Sequence, residues 1–209
     1  MSILKIVCIT AHPDDAEMGI GGTLAKHVDN GDDVHVILTT LGGVVGPPKK
    51  REKEARLAAH ILGIDDLQIL NYPVQKLNKP NLEFVKVIKG ILTELGPDRI
   101  YTHTLFDYHQ VHVTVAESVM HAAKEIRQVL SCEVISSTTP EFNPNAFVDI
   151  TDYMDLKIKS LKVHQTQSNK FYIQPNVMRS LANVRYVWGK VGKNPMGYAE
   201  AFVIRKFIH

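Results

Sequence analysis

The chain has 209 residues, of which 44% are hydrophobic and 22% are charged, and its formal net charge is +2. This composition fits a single globular domain, residues 1–209, with enough apolar side chains for a core. The small net charge argues against a nucleic-acid-binding surface, and no apolar run approaches the roughly 20 residues that a membrane span needs. The N-terminus is too short and too strand-like for a signal peptide, so we expect a cytoplasmic protein in which Cys8 and Cys132 are buried thiols.

The first half of the chain alternates strand-like and helix-like segments. Residues 3–9 are nearly all apolar, which is typical of a strand that is covered on both faces. Apolar residues at helical spacing then run from Glu17 to Val28 and stop before Asn30-Gly31. The same criteria predict strands at 33–40, 67–70 and 98–103 and helices at 51–63 and 82–96.

The second half continues this alternation. We expect a helix from about Gln110 to about Val129, strands at 132–137 and 146–151, helices at 152–164 and 177–192, and a closing edge strand at 198–207. Strands that alternate with helices predict right-handed βαβ units, and therefore an α/β fold on a mainly parallel sheet. Ligands of such sheets bind beyond the carboxyl ends of the strands.

Two polar clusters fall at predicted strand ends. The sequence HPDD (residues 12–15) follows the first strand, and HTLFDYHQVH (residues 103–112) follows the strand at 98–103. Because the carboxyl ends of parallel strands meet at one edge of a sheet, two clusters about 90 residues apart in sequence can lie side by side.

Both clusters carry residues that bind metals. His12 and Asp15 are three positions apart, as are His109 and His112, and at this spacing two side chains can face one ion. A catalytic zinc site has three protein ligands and an open position, with a base near the attacking water and a donor opposite it. Together with Asp14, these residues are enough for all five roles. A dication would also offset the repulsion between the adjacent carboxylates, because it neutralises one while the other accepts and returns a proton.

Each motif also has a simpler interpretation. An Asp after Pro at a helix start is a common N-cap, and an HxxH pair can arise by chance on a surface helix. GIGG (residues 19–22) could belong to a dinucleotide loop, but the G-x-G-x-x-G spacing is missing and the upstream carboxylates would repel a pyrophosphate. Two motifs together, each at a strand end, favour the metal site.

Several stretches of the chain match the motifs of one family: AHPDDAEMGIGGTLA, REKEARLAAHILG, DYHQVH, FVDITDYMDLKIKSLKVHQTQ and GYAEAF. They cover most of the chain and resemble the PIG-L/LmbE-like N-acetyl-sugar deacetylases. The resemblance implies a Rossmann-like three-layer α/β fold and a divalent metal, usually zinc. It also implies hydrolysis of acetamides on small amino sugars or their conjugates, and a homo-oligomer, either a trimer or a hexamer.

The resemblance assigns the chemical roles by position. His12, Asp15 and His112 would be the metal ligands, and Asp14 would be the general base. His109 would protonate the leaving amine or stabilise the tetrahedral oxyanion.

It assigns three supporting roles as well. Arg51 would bind substrate hydroxyls or phosphate, Glu17 would orient the loop that carries the ligands, and Tyr198 would contact the intermediate. His103 and His164 are expected to make structural hydrogen bonds, and Trp188 is expected to serve packing.

The chain departs from the family pattern at two places. The family has an Asp just before the second His of its DYHQVH-like motif, where this chain has Val111, and that Asp is expected to orient and charge the imidazole equivalent to His109. The stretch NYPVQKL (residues 71–77) also lacks an Asp that often contacts the sugar. Three alternatives therefore stay open: an amidase acting on a thiol–sugar or other amide conjugate, a metal-binding relative with impaired catalysis, and a nucleotide-binding Rossmann protein.

Overall fold

Residues 2–42, 46–79 and 81–208 are described by a computed structural model of the chain. Within them, a central sheet has seven strands: β1 (Lys5–Thr10), β2 (Asp33–Leu38), β3 (Asp66–Ile69), β4 (Arg99–His103), β5 (Gln128–Cys132), β6 (Ala146–Asp149) and β7 (Ala199–Phe207). The strand order is β3-β2-β1-β4-β5-β7-β6. Strands β1 to β5 are parallel, and β7 is antiparallel to both of its neighbours, so the predicted mainly parallel sheet is confirmed.

Helices cover both faces of this sheet. Those in the described residues are α1 (Asp15–Asp29), α2 (Pro48–Ile61), α3 (Leu82–Leu95), α4 (Gln110–Ala122), α5 (Met154–Lys162) and α6 (Pro175–Trp188). Cys8 of β1 packs in one buried cluster with Leu24 of α1, whereas the next residue, Ile9, packs in a second cluster with Phe84 of α3. Strand β1 is apolar along its length because both of its faces are covered, and the three-layer prediction is confirmed.

Two expectations drawn from composition can be compared with the structure. Cys8 and Cys132 are both buried and free, as predicted. In the described ranges, none of the helices is both long enough and apolar enough to cross a membrane.

The region after α4 differs from the prediction. The helix expected to reach about Val129 ends at Ala122, and the strand expected to begin at Cys132 begins at Gln128. Val129 and Leu130 suit either conformation, because periodicity does not distinguish a short buried strand from a helical turn. Pairing of β5 with β4 on one side and β7 on the other decides in favour of the strand.

The closing strand β7 was expected at the edge of the sheet, but it lies between β5 and β6. The edge is formed by the short, half-buried β6. Residues 199–202 of β7 are buried and pair with β6, whereas the part of β7 from Phe202 to Phe207 pairs with β5. The alternating pattern of a strand shows which face is covered but not how many neighbours it has, so this position could not be read from the sequence.

Helix α1 is broken at Ile20, whose φ of −142° and ψ of 16° are not helical. The break frees backbone groups on both sides. Lys157 of α5 donates to the Met18 carbonyl at 2.7 Å, and Glu200 of β7 accepts the N–H of Gly22 at 3.0 Å and that of the next residue at 2.7 Å. Lys157 and Glu200 also pair at 2.5 Å, so a buried ion pair from two other elements holds the bend in α1.

The GIGG stretch is explained by close packing of α1. A Cβ atom at Gly22 would lie 2.8 Å from the Ile150 side chain, and one at Gly19 would lie 2.9 Å from the backbone oxygen of Glu133. Larger residues would push the helix away from its neighbours. These glycines therefore serve the approach of α1 to the end of the sheet.

Candidate active site

The two polar clusters meet beyond the carboxyl ends of β1 and β4, which are neighbouring parallel strands. His12 follows β1, and His112 lies in the first turn of α4, after β4. Their ring nitrogens Nδ1 and Nε2 are 3.2 Å apart, although the residues are 100 positions apart in the sequence.

His12, Asp15 and His112 place three ligand atoms at equal spacing. His12 Nδ1, Asp15 Oδ2 and His112 Nε2 are 3.2 Å from one another. Donor atoms around a tetrahedral zinc ion, at about 2.0–2.1 Å from it, would be about 3.3–3.4 Å apart. The three side chains therefore fit a divalent metal, and two imidazoles with one carboxylate are a typical donor set of catalytic zinc.

Two further imidazoles, His103 and His109, are near enough to be considered as ligands. His103 Nε2 accepts the N–H of Ala11 at 2.9 Å, and His109 Nδ1 accepts the N–H of Val111 at 3.3 Å, so these lone pairs are already engaged. Burial, reinforced by the charge of His112, lowers the pKa of both imidazoles to about 4. Each ring is therefore neutral. Because His109 Nδ1 accepts a hydrogen bond, the proton of this cavity-lining ring lies on Nε2.

Asp107, in the loop between β4 and α4, binds both histidines of the second motif. Its Oδ2 accepts the Nδ1–H of His112 at 3.1 Å, and its Oδ1 accepts the backbone N–H of His109 at 2.7 Å. Burial alone would lower the pKa of His112, but the carboxylates of Asp15 and Asp107 raise it to about 10. A carboxylate behind a ligand imidazole orients the ring and increases its basicity. The pairing with His112 is signalled in the sequence only by an acidic residue five positions before the ligand.

Asp14 lies at the N-cap position of α1 but does not cap the helix. Its side chain makes no capping hydrogen bond, and its φ of 98° is unfavourable for a residue other than glycine. Burial and the adjacent Asp15 raise the pKa of its carboxyl to about 7, against the opposing charges of His164 and Arg51. A carboxyl that titrates near neutrality and lines the cavity is suited to general base catalysis.

Arg51 is buried in the cavity wall and is hydrogen-bonded to the loop that contains HPDD. Its guanidinium donates to the Pro13 carbonyl at 3.0 Å and to the Leu41 carbonyl at 3.1 Å, and it lies 3.8 Å from Asp14 Oδ1. Much of its hydrogen-bonding capacity is therefore used inside the protein, in addition to whatever contact it makes with a substrate.

Other predicted residues lie away from the ligand atoms. Glu17 faces the buried His164, with its Oε2 3.6 Å from Nε2, and not the ligand side chains. Six of the seven predicted site residues line the cavity, but Tyr198 is not among the lining residues of the described chain. Its ring packs beside the Arg179 guanidinium, 5.6 Å from the centroid. Trp188 is half-exposed on α6, also outside the cavity lining.

The cavity has a volume of about 280 Å³ and a second wall that the sequence analysis did not include. This wall comes partly from residues 163–174, here named the cavity segment, which contributes Lys170 and Tyr172. Glu54 of α2 holds the segment by accepting the N–H of Thr166 at 3.1 Å and its hydroxyl at 2.5 Å. The segment consists largely of two 3₁₀ turns, and such short turns have no long periodicity from which a facing side could be predicted.

Comparison with known proteins finds relatives named as deacetylases. The family model described as "PIG-L: GlcNAc-PI de-N-acetylase" matches residues 7–123. "Uncharacterized deacetylase YaiS" of Escherichia coli K12 is 30% identical over 77% of this chain and 90% of that protein. "Diacetylchitobiose deacetylase" of Thermococcus kodakarensis is 27% identical over 99% and 86%. The "Probable N-acetyl-alpha-D-glucosaminyl L-malate deacetylase 2" of Bacillus cereus is 28% identical over 78% and 83%.

Solved structures share the whole fold. The protein TT1542 from Thermus thermophilus matches with a TM-score of 0.81 and 24% identity over 99% of this chain and 97% of that one. The N,N'-diacetylchitobiose deacetylase of Pyrococcus horikoshii matches with a TM-score of 0.77 and 25% identity over 96% and 83%. GalB of Pseudomonas putida, a 4-carboxy-2-hydroxymuconate hydratase, matches at 0.81 and 20% identity over 99% and 98%. The family match spans both polar clusters, and the chain belongs to the PIG-L family of metal-dependent deacetylases.

Proposed function

We propose that the protein is a zinc-dependent N-deacetylase that removes the acetyl group from an N-acetylglucosamine-type sugar or sugar conjugate. The observation that carries this proposal is the 3.2 Å triangle of ligand atoms from His12, Asp15 and His112 beside the buried carboxyl of Asp14. Relatives named as deacetylases of diacetylchitobiose and of N-acetylglucosaminyl malate support the substrate class.

A divalent ion held by these three side chains would polarise the acetamide carbonyl and lower the pKa of water. Asp14 accepts a proton from the water as its oxygen attacks the acetyl carbon, which requires the ionised carboxylate. When the C–N bond breaks, the same carboxyl returns the proton to the amine. The products are acetate and the free amino sugar, and Asp14 ends in its starting form.

His109 acts in this proposal as a neutral donor to the tetrahedral oxyanion. Its Nδ1 accepts the N–H of Val111, so its proton lies on Nε2. Burial, followed by positive charge on His112 and His12, lowers the pKa of the ring to about 4. As metal ligands these two rings would be neutral, but the dication that they hold would keep positive charge beside His109, which favours the neutral form of its ring near neutral pH. Donation to the oxyanion is therefore favoured over proton transfer to the amine.

Two further properties are proposed. One is a cytoplasmic location, which the two buried free thiols support. The other is a homo-oligomer, either a trimer or a hexamer, which rests on the family resemblance. Light scattering coupled to size exclusion tests the second, and a monomer at micromolar concentration would contradict it.

The fold by itself does not select this reaction, because the hydratase GalB shares it. The test is elemental analysis joined to an acetate-release assay over acetylated and conjugated amino sugars, with Asp14→Asn as the matched control. We expect about one divalent ion per chain. Acetate release should stop when the metal is chelated and return when it is added back. The Asp14→Asn variant should keep the metal but release acetate about 10²–10⁴-fold more slowly. A protein that keeps the metal and releases no acyl group from any compound would contradict the proposal and favour an impaired relative or another reaction class.

A further inference from the structure

The cavity contains one cation, Lys170, that forms no ion pair in the described chain, although its charge contributes to lowering the pKa of Asp14. Among its described lining residues, the ionisable side chains other than imidazoles and Tyr172 are the carboxyl groups of Asp14 and Asp15 and the cations of Arg51 and Lys170. Arg51 is engaged with two backbone carbonyls and with Asp14. The Nζ of Lys170, in the described part of the chain, contacts only the ring of Tyr172, 5.5 Å from the centroid, and forms no salt bridge.

Lys170 is presented from an ordered stretch of backbone. Its N–H donates to the Gln167 carbonyl at 3.0 Å, and its own carbonyl accepts from Gln174 Nε2 at 3.3 Å. Glu54 holds the same segment through Thr166. Lys170 is therefore a partly buried residue that lines the cavity from a hydrogen-bonded stretch of backbone.

The position of the reacting group determines what this cation can meet. If the acetamide lies at the ligand triangle, the rest of the substrate extends along the cavity, whose lining includes Lys170 and Tyr172. A neutral group there would partly desolvate the ammonium without offering it a strong partner. A carboxylate or phosphate would give it a charge-assisted hydrogen bond.

We infer that Lys170, together with Tyr172, forms a specificity subsite for an anionic group, a carboxylate or a phosphate, that the substrate carries beyond its acetylated amine. This inference rests on the proposed function for the direction in which the substrate lies. It narrows the substrate class from amino sugars in general to acidic conjugates or phosphorylated forms of them.

The first experiment compares kcat/KM on two substrate pairs, each with a neutral and an anionic member. The pairs are N-acetylglucosamine with its 6-phosphate, and diacetylchitobiose with N-acetylglucosaminyl malate. We expect the metal-loaded protein to prefer one anionic member by about tenfold or more, which is the range of a charge-assisted hydrogen bond. The pair that shows the preference identifies whether the anion is a phosphate on the sugar or a carboxylate on the conjugated group.

Assays about two pH units above the Asp14 pKa of about 7 keep that carboxylate ionised when the charge of Lys170, which lowers this pKa, is removed. Under these conditions the Lys170→Met variant should abolish the preference while it changes kcat/KM on the neutral members less than about twofold, because Met keeps the length of the side chain. Lys170→Arg should retain most of the preference. Lys162→Met is the matched control, since it removes one positive charge from the exposed end of α5, outside the cavity lining. The subsite would be overturned if Lys170→Met lowered kcat/KM equally on neutral and anionic substrates, or lowered it on neither. It would also be overturned if the unmodified protein showed no preference for an anionic substrate.

A binding measurement separates the subsite from the reaction. Calorimetry on metal-loaded Asp14→Asn, with and without Lys170→Met, measures the affinity for the same four compounds. We expect about tenfold weaker binding of the preferred anion when Lys170 is replaced. A Lys170-dependent preference in binding without acetate release would contradict the deacetylase proposal alone. The subsite would be contradicted if the protein released acetate but bound the compounds equally well with and without Lys170. It would also be contradicted if none of the compounds bound.

Discussion

The two walls of the cavity are built in different ways. The metal-side wall is formed by residues that follow β1 and β4, and its functional atoms lie within hydrogen-bonding distance of one another, as His12, Asp15 and His112 do. The cavity segment has two 3₁₀ turns, an exposed Phe171, and an attachment to α2 through Glu54. The first wall is fixed by the sheet and is suited to the chemistry, whereas a locally attached wall is suited to selecting the substrate.

The largest effect should come from removing a ligand on the metal-side wall. His112→Ala deletes one of the three donor atoms, so we expect the metal content to fall from about one ion per chain to a small fraction of that, with loss of activity on every substrate. Elemental analysis after gel filtration measures this loss. His121→Ala, which removes an exposed imidazole from the last turn of the same helix, is the matched control. Full metal occupancy in His112→Ala would mean that another residue is the ligand.

The next largest loss of activity should come from replacing Asp14, the proposed general base. Asp14→Asn should keep the metal and lower kcat by about 10²–10⁴-fold on neutral and anionic substrates alike, because an amide cannot accept the proton. In the unmodified protein, activity should be lost as pH falls through the pKa of Asp14, which burial and Asp15 raise to about 7 and which a bound dication lowers. The acidic limb of kcat should therefore lie at or below pH 7. A limb that persists in Asp14→Asn would assign it to a different group.

The contrast between the walls also explains what the sequence could predict. HPDD and DYHQVH were recognisable because each follows an apolar strand, and strand ends converge on one edge of a parallel sheet. The bend in α1 could not be foreseen, since it depends on the pairing of Lys157 with Glu200 across 43 positions and on two elements whose packing the sequence does not specify. The cavity segment was missed for a related reason. Its orientation is set by tertiary contacts, such as those of Glu54 with Thr166 and of Glu17 with His164, and not by any repeating pattern.

A smaller change on the metal-side wall should weaken the metal site without removing it. Asp107→Asn keeps an oxygen that can accept from His112 Nδ1 but removes the charge that helps to raise the pKa of that ring. We expect the affinity for zinc to fall about 10–100-fold, as for other partners of ligand histidines. Competition with a chelator measures this affinity, and Asp65→Asn at an exposed site is the control. Unchanged affinity would show that Asp107 only shapes the loop.

Weakening the attachment of the other wall should affect substrates unequally. Glu54→Gln leaves one acceptor for Thr166 in place of two, and a lost hydrogen bond of about 1 kcal/mol corresponds to about a fivefold change. We expect KM to rise by up to about that factor for conjugates that reach the cavity segment, with kcat and metal content unchanged. Steady-state kinetics on a short and a conjugated substrate measure the difference. Glu52→Gln, on the exposed side of α2, is the matched control, and equal changes on both substrates would contradict a separate role for this wall.

The smallest effect on kcat above pH 8 is expected at Val111, where the family has Asp. The Val111 side chain is buried in the apolar cluster on the α3–α4 face, and its N–H donates to His109 Nδ1. A carboxylate beside an imidazole favours the charged ring and raises its pKa by about 1–3 units. From a pKa of about 4, the His109 ring in Val111→Asp would still be mostly neutral above pH 8.

The low pKa of His109 determines how kcat of Val111→Asp should depend on pH. The kcat profiles of the unmodified protein and the variant should superimpose above pH 8 and separate only at lower pH, where the variant ring gains a proton. Proton-detected titration of His109 and kcat against pH provide the measurements, with Val111→Asn as a control for burying a polar group without a charge. If the alkaline limb instead moves to higher pH in Val111→Asp but not in Val111→Asn, His109 acts as a protonated acid, and the neutral-donor role is wrong. Profiles that superimpose at high pH would support donation from neutral His109 to the oxyanion. A neutral ring does not need a neighbouring carboxylate, so the site can function with Val at position 111.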